Sequence, residues 1–203
     1  MSTYNGELHL KEQIDSILNQ ENVEINLIIR DDGSTDNTLK IVNSISDERA
    51  KDILGKNVGW KEGFNILTRN CEMKTEFYAF SDQDDVWYKN KIINAIKKFK
   101  SITTYQHYFI MMQLLLMKGL IKLDTKRTKV PLITNIVNCA GQGCYTIFNS
   151  HALLLFRAYQ PKEVFSHEHW LIILCAYFGK YVMKINHTYN IDKQEKMLLV
   201  HID

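Results

Sequence analysis

The feature that most constrains the fold is a hydrophobic run that ends abruptly in acidic residues. Residues 24–30 are mostly apolar and run directly into the segment DDGSTD at residues 31–36. Residues 37–45 then carry apolar side chains at helical spacing, as do residues 6–20, for which Asn5 is the expected N-cap. The order of a buried strand, a turn and a helix is that of a βα unit in a parallel sheet.

A second strand with an acidic end lies further along the chain. Residues 76–81 are rich in aromatic side chains and precede the segment DQDD at residues 82–85. Residues 63–69 before this strand and the amphipathic residues 89–100 after the acids predict two more helices. Because strands alternate with helices, we expect an α/β fold with a mostly parallel sheet flanked by helices. Ligands of such sheets bind at the carboxyl ends of the strands.

Length and composition limit the classes of protein. The 203 residues fit one domain with its own core, and the net charge of +2 comes from interspersed acids and bases, which argues against nucleic acid as a partner. The four cysteines form no CxxC pair, no secretion signal is visible, and the longest apolar run is too short for a membrane helix. We expect buried thiols and a cytoplasmic protein that associates with the inner face of the membrane at most peripherally.

The first acidic segment has two interpretations. Carboxylates that crowd a strand end repel one another unless a cation or hydroxyl groups satisfy them. Asp31 and Asp32 stand where the predicted strand ends, and one carboxylate there would accept hydrogen bonds from a ribose or a base. Alternatively, Asp32 and Ser34 only shape the turn and cap the next helix.

The second acidic segment has the spacing of a metal site. Asp82 and Asp84 offer two hard oxygen ligands two residues apart on a loop. Mg²⁺ and Mn²⁺ accept such ligands and take others from substrate phosphates and water. The alternative is a surface turn without a ligand.

Four segments in order resemble one known family. STYNGE at residues 2–7, IIRDDGSTDNT at 28–38, NVGW at 57–60 and YAFSDQDDVWYKNKI at 78–92 are similar to segments of family 2 glycosyltransferases, particularly rhamnosyltransferase-like members. The resemblance implies a GT-A fold, which is Rossmann-like, with a nucleotide-sugar donor and inversion at the anomeric carbon. It also implies one domain, residues 1–203, with a donor half at 1–100 and an acceptor half at 101–203.

The resemblance assigns roles to individual residues of the donor half. Ser2 and Tyr4 would line the nucleotide pocket, and Asp32 would bind the base or ribose. Asp82 would contact the donor, and Asp84 would hold Mg²⁺ or Mn²⁺ in the family's DXD motif. The implied partners are an NDP-sugar, dTDP-rhamnose being the family-level expectation, and a saccharide or lipid-linked saccharide acceptor.

Direct displacement needs a general base that takes the proton of the acceptor hydroxyl. The family supplies a carboxylate in a later segment that begins with His-Asp, and SHEHW at residues 166–170 matches that place with Glu168. We therefore expect Glu168 to be the catalytic residue, one methylene longer than Asp. Alternatively, Glu168 is an early helical residue that the helix dipole favours. The Gly-rich residues 138–149 resemble the acceptor-side segment or form a plain turn into a strand.

The chain also departs from the family pattern. Relatives carry a buried strand directly before the STYNG segment, where Met1 stands here, so we expect the first strand of the sheet to be missing. Residues 106–118 and 190–203 do not resemble the family, but permissible codons read with one common frame offset give segments that do. We hypothesise two frameshifts, which make the acceptor half partly aberrant.

These patterns favour an inverting, metal-dependent glycosyltransferase of surface polysaccharide synthesis. Two alternatives remain open at this point. One is a remnant that binds the nucleotide-sugar without transferring it. The other is a non-enzymatic α/β scaffold or partner-binding protein whose acids only form turns.

Overall fold

The computed structural model describes residues 1–102, 109–114, 146–160, 166–178, 180–185 and 197–200. The chain divides into two compact units, Met1–Tyr105 and Gln106–Asp203. The expected single domain of residues 1–203, with a donor half at 1–100 and an acceptor half at 101–203, stays a prediction. No helix in the described ranges is long and apolar enough to cross a membrane.

The first unit is built on a parallel sheet. Its elements in chain order are β1 (Ser2–Thr3), α1 (Leu10–Leu18), β2 (Leu27–Asp31), α2 (Thr38–Asn43), β3 (Ala50–Leu54), α3 (Trp60–Asn70), β4 (Phe77–Ala79) and α4 (Lys91–Ile102). Strands β1, β2 and β3 lie side by side in that order, and both pairings are parallel. The parallel α/β arrangement predicted from the alternation of strands and helices is therefore confirmed here.

The core of this unit follows from the apolar stripes of its helices. Helix α3 packs on β1 and β2, and α2 packs on β2 and α1. The rings of Phe64 and Phe80 meet edge to face with centroids 5.4 Å apart. Burying one such side chain contributes roughly 1.5–3 kcal/mol. The buried apolar side chains include Leu10, Ile14, Ile17, Leu27, Ile29, Val42, Phe64 and Leu67.

One local prediction for this unit is wrong. Asn5 does not cap α1, because the helix begins only at Leu10, and Asn5 instead has a φ of 49° with its side chain bound to the next loop. His9 and Leu10 donate to the carbonyl of Gly6 at 3.1 and 2.9 Å, so a separate turn precedes the helix. The STYNG segment itself contains the short strand β1, and the expected loss of a strand before this segment stays a prediction.

Strand β3 was not expected, and its exposure explains why. Its five residues, AKDIL, are all half-buried or exposed, and the segment has no apolar run. The strand forms through backbone pairing with β2, from Leu27 opposite Ala50 to Asp31 opposite Leu54. A neighbour in space, rather than local composition, determines this element.

The second unit has a mixed sheet in its described part. The elements are β5 (Phe109–Leu114), β6 (Thr146–Asn149), α5 (Ser150–Ala158), α6 (His167–Phe178), β7 (Lys180–Ile185) and β8 (Met197–Val200). Strand β5 pairs antiparallel with β6 and parallel with β7, and β7 pairs antiparallel with β8. The expectation of a mostly parallel sheet therefore holds for the first unit and not for this one.

Several predictions fall wholly or partly outside the described residues. Of the two stretches assigned to frameshifts, only β5 and β8 are described, so the frameshift hypothesis stays a hypothesis. The Gly-rich stretch is described only at β6, whose four residues are all buried. Among the cysteines, Cys175 is buried, and Cys71 is half-buried with its thiol donating to the carbonyl of Thr68 at 3.4 Å. Cys139 and Cys144 lie outside the described ranges.

Candidate functional site

The turn after β2 is shaped by Asp31. Its carboxylate accepts hydrogen bonds from the backbone N–H of Gly33 at 3.0 Å and of Ser34 at 2.9 Å. Gly33 has a φ of +80°, and a Cβ there would lie 3.2 Å from the backbone nitrogen of Asn57. The turn-forming role that one interpretation gave to Asp32 therefore belongs to Asp31.

Asp32 is buried, and it binds a neighbouring loop. Its carboxylate accepts from the backbone N–H of Val58 at 3.0 and 3.1 Å and of Gly59 at 2.9 Å. It also forms an ion pair with Arg30, whose guanidinium donates to the carbonyl of Lys56 at 3.1 Å. Both oxygens of Asp32 thus already accept protein hydrogen bonds, and a ribose or base would share or replace one of them.

The segment that contains Ser2 and Tyr4 lies against the turn after β2. The backbone N–H of Asn5 donates to Ser34 Oγ at 2.9 Å, and that of Gly6 donates to Thr38 Oγ1 at 2.7 Å. Ser2 lies in β1, and its Oγ is 2.7 Å from where a Cβ on residue 63 would stand. Tyr4 is 45% exposed. The two predicted nucleotide-lining residues therefore lie in one ordered segment.

The acidic loop after β4 contacts the same segment. Gln83 Oε1 accepts from Thr3 Oγ1 at 2.8 Å and from the backbone N–H of Tyr4 at 2.9 Å. The loop is thus fixed against β1.

Three further contacts hold this loop in place. Gln13 in α1 donates to the buried Ser81 Oγ at 2.8 Å, and the backbone N–H of Trp87 donates to Ser16 Oγ at 2.9 Å. The ammonium of Lys91 lies 3.9 Å from the centre of the Trp87 ring, a cation–π contact. Both ends of the acidic loop are therefore anchored to helices of the same unit.

The donor set suits a metal that takes ligands from its substrate. Asp82 is half-buried and Asp84 is exposed. No group of three or more His, Cys, Asp or Glu side chains that could hold an ion occurs among the residues that the structure describes. Two loop carboxylates fit Mg²⁺ or Mn²⁺ when diphosphate oxygens and water complete the coordination.

Glu168 lies in the second unit, in the first turn of α6. Its Oε2 is buried, has no hydrogen-bond partner within the described ranges, and lies 3.2 Å from His167 Nδ1. Burial raises the pKa of Glu168 and lowers that of His167 to about 3, so the imidazole is neutral at pH 7 and the two groups do not form an ion pair. A carboxylate with a raised pKa is a stronger base.

Sequence reasoning missed two residues that shape this region, Arg30 and Gln83. Arg30 stands two positions before Asp32, so on an extended chain both side chains point to one face. A basic residue within an apolar run could therefore have indicated that Arg30 pairs with Asp32. Gln83 carries no such signal, because its partners Thr3 and Tyr4 are 80 and 79 residues away in the sequence. Only the fold brings them together.

Comparisons with known proteins identify a family and relatives of this chain. The family model described as "Glycosyl transferase family 2" matches residues 1–153. The chain is 30% identical to the dTDP-rhamnosyl transferase RfbG of Shigella flexneri, over 98% of this chain and 70% of that protein. It is 35% identical to the UDP-Glc:alpha-D-GlcNAc-diphosphoundecaprenol beta-1,3-glucosyltransferase WfaP of Escherichia coli, over 54% of this chain and 45% of that protein.

Solved structures share the fold. The structure of S. aureus TarS 1-349 in complex with UDP has a TM-score of 0.64 at 20% identity and covers 85% of this chain. This chain spans 52% of that structure. With the family model matched over most of the chain and the motif segments joined at one end of the sheet, the chain belongs to glycosyl transferase family 2.

Proposed function

We propose that this chain transfers a sugar from an NDP-sugar to a saccharide acceptor, with inversion at the anomeric carbon, in surface polysaccharide synthesis. The observation that carries this proposal is the joining of separate motif segments at the carboxyl ends of β1 and β2. Gln83 binds the segment of Thr3, that segment binds Ser34, and Asp32 binds Gly59. Ligands of parallel α/β sheets bind at this edge.

The donor half supplies the nucleotide contacts in this proposal. Ser2 and Tyr4 line the nucleotide, and Asp32 accepts a hydrogen bond from the base or ribose beside the loop of Val58 and Gly59. The name of the Shigella relative supports dTDP-rhamnose as the donor, and the names of the Escherichia coli relative and of the TarS complex contain UDP. We therefore include both dTDP and UDP in the test of binding.

Asp82 and Asp84 act on the diphosphate in this proposal. Asp84 is exposed and holds Mg²⁺ or Mn²⁺, whereas the half-buried Asp82 contacts the donor. When bound, the ion neutralises the charge that develops on the diphosphate leaving group. The fixed loop keeps both carboxylates in one place before the donor arrives, which lowers the entropy cost of binding.

Glu168 is the base in this proposal. The acceptor oxygen forms a bond to the anomeric carbon while the bond from that carbon to the diphosphate breaks, and the acceptor proton moves to the Glu168 carboxylate. The raised pKa of Glu168 and the unpartnered Oε2 suit a group that accepts a proton. The name of the Escherichia coli relative includes a lipid-linked saccharide, alpha-D-GlcNAc-diphosphoundecaprenol. An acceptor of that kind would bring the reaction to a membrane surface.

A transfer assay with a matched pair of variants tests this proposal. Wild type and Glu168→Gln are incubated with UDP-sugars and dTDP-rhamnose, Mn²⁺ and saccharide acceptors, and the released nucleotide is measured. Gln keeps the size of the side chain and cannot take the proton, so we expect turnover to fall by at least about 100-fold with unchanged nucleotide binding. Equal turnover would refute Glu168 as the base, and binding without transfer by wild type would identify a binding remnant.

A further inference from the structure

One side chain joins the two segments to which the proposed function gives different tasks. Gln83 stands between Asp82 and Asp84, the carboxylates assigned to the donor diphosphate and its metal. A single atom, Gln83 Oε1, accepts from Thr3 Oγ1 at 2.8 Å and from the backbone N–H of Tyr4 at 2.9 Å. Both donors belong to the segment assigned to the nucleotide.

The partners of Gln83 are held rigidly. Thr3 is 2% exposed and lies in β1, and its carbonyl accepts from the backbone N–H of Asp32 at 2.9 Å. One amide oxygen therefore connects the acidic loop to the strand that also positions Asp32. A hydrogen bond to a rigid partner fixes a loop more effectively than a bond between two mobile groups.

The surrounding backbone leaves space for this oxygen. A Cβ on Gly6 would lie 2.7 Å from Gln83 Oε1 and 2.9 Å from Thr3 Oγ1. Contacts below 3.0 Å do not occur for real Cβ atoms, so the absence of a side chain at residue 6 is what allows the contact. Gly6 therefore leaves the space that the Gln83 side chain needs to reach Thr3.

We infer that Gln83 is a positioning residue that couples metal binding to nucleotide binding, because its amide oxygen fixes the two carboxylates of the acidic loop relative to Thr3 and Tyr4. This inference rests on the proposed function. It predicts that metal and nucleotide bind cooperatively and that much of the cooperativity passes through this one acceptor.

The test is a set of calorimetric titrations of UDP into the full chain with and without Mn²⁺. The coupling quotient is the Kd for UDP without Mn²⁺ divided by the Kd with it. Gln83→Met has a similar length but no acceptor, and we expect its quotient to fall about tenfold below that of wild type. Gln83→Glu keeps an acceptor oxygen for both donors, but its added charge beside Asp82 and Asp84 should weaken UDP binding without Mn²⁺, so we expect its quotient to equal or exceed that of wild type.

The quotient separates positioning from a merely structural role. A structural defect would weaken UDP binding with and without Mn²⁺ alike and leave the quotient unchanged, which would overturn the inference. If Gln83→Met does not fold, Thr3→Val decides, since it removes one of the two donors and keeps the β-branched shape; we expect a fall of about threefold. An unchanged quotient in folded Thr3→Val would also overturn the inference, whereas a wild type without metal-dependent binding would overturn the proposed function itself.

Discussion

Replacement of Arg30 by methionine tests the buried ion pair beneath the candidate site. The side chains of Arg30 and Asp32 are only 3% and 4% exposed, so methionine would leave the Asp32 carboxylate buried without its cation. Removing one partner of a buried pair costs about 3–5 kcal/mol. Whole domains are stable by about 5–15 kcal/mol, so this loss is a large fraction of the total.

The assay is thermal unfolding followed by circular dichroism. For a chain of this size each kcal/mol lowers the Tm by about 2–4 °C, so Arg30→Met should lower it by about 6–20 °C. Arg49→Met is the matched control, because Arg49 also pairs with an aspartate, Asp47, but with side chains 41% and 29% exposed. Water screens that pair, and we expect a much smaller change.

A double variant separates charge from packing. Arg30→Met with Asp32→Asn removes both charges, so it should recover part of the stability that Arg30→Met loses. If Arg30→Met unfolds at the same temperature as Arg49→Met, or if the double variant recovers nothing, the buried pair does not stabilise the loop at Val58 and Gly59 in the way argued above.

Three further predictions concern stability. The pKa of His167 is about 3 in the folded protein because burial disfavours its charged form, whereas the unfolded chain binds the proton more readily. The free energy of unfolding, measured in urea, should therefore be constant above about pH 6.5 and fall as the pH drops toward 3, by at most about 1.4 kcal/mol per pH unit. His167→Gln should make this pH dependence less steep. Asn149→Ala removes the acceptor for the backbone N–H of Ala152 at 3.0 Å and should cost about 1 kcal/mol in denaturant unfolding, whereas Asn149→Asp should cost little; equal losses would contradict this capping role. Gly33→Ala must hold a φ of +80° and should cost about 1–2 kcal/mol, and a neutral result would show that the turn rearranges.

The sequence was sufficient for elements whose pattern is local. Strand β2, the turn after it and α2 are visible because an apolar run, a DDGSTD turn and a helical stripe each carry their own signal. Strand β3 has no such signal, because an exposed edge strand is formed by its neighbour. Local composition therefore predicts the buried elements better than the edges.

The candidate site shows the same limit in its side chains. The resemblance to a family marked Asp32 and Asp82, yet it did not show that Asp32 is buried against Arg30. It also did not show that Asp31 shapes the turn, since both acids suit a turn equally well from sequence. Long-range contacts such as that of Gln83 require the fold. The assigned roles of all the predicted site residues stay predictions: Ser2, Tyr4, Asp32, Asp82, Asp84 and Glu168.

The most direct test of the central proposal is calorimetric titration of UDP and dTDP into the folded wild type with and without Mn²⁺. Asp84→Asn is the test variant, and Asp85→Asn, at the adjacent half-buried acid, is its matched control. We predict nucleotide binding that Mn²⁺ strengthens, with that strengthening lost in Asp84→Asn and kept in Asp85→Asn. A folded wild type that binds neither nucleotide, or binds them equally with and without the metal, would contradict a metal-dependent donor site.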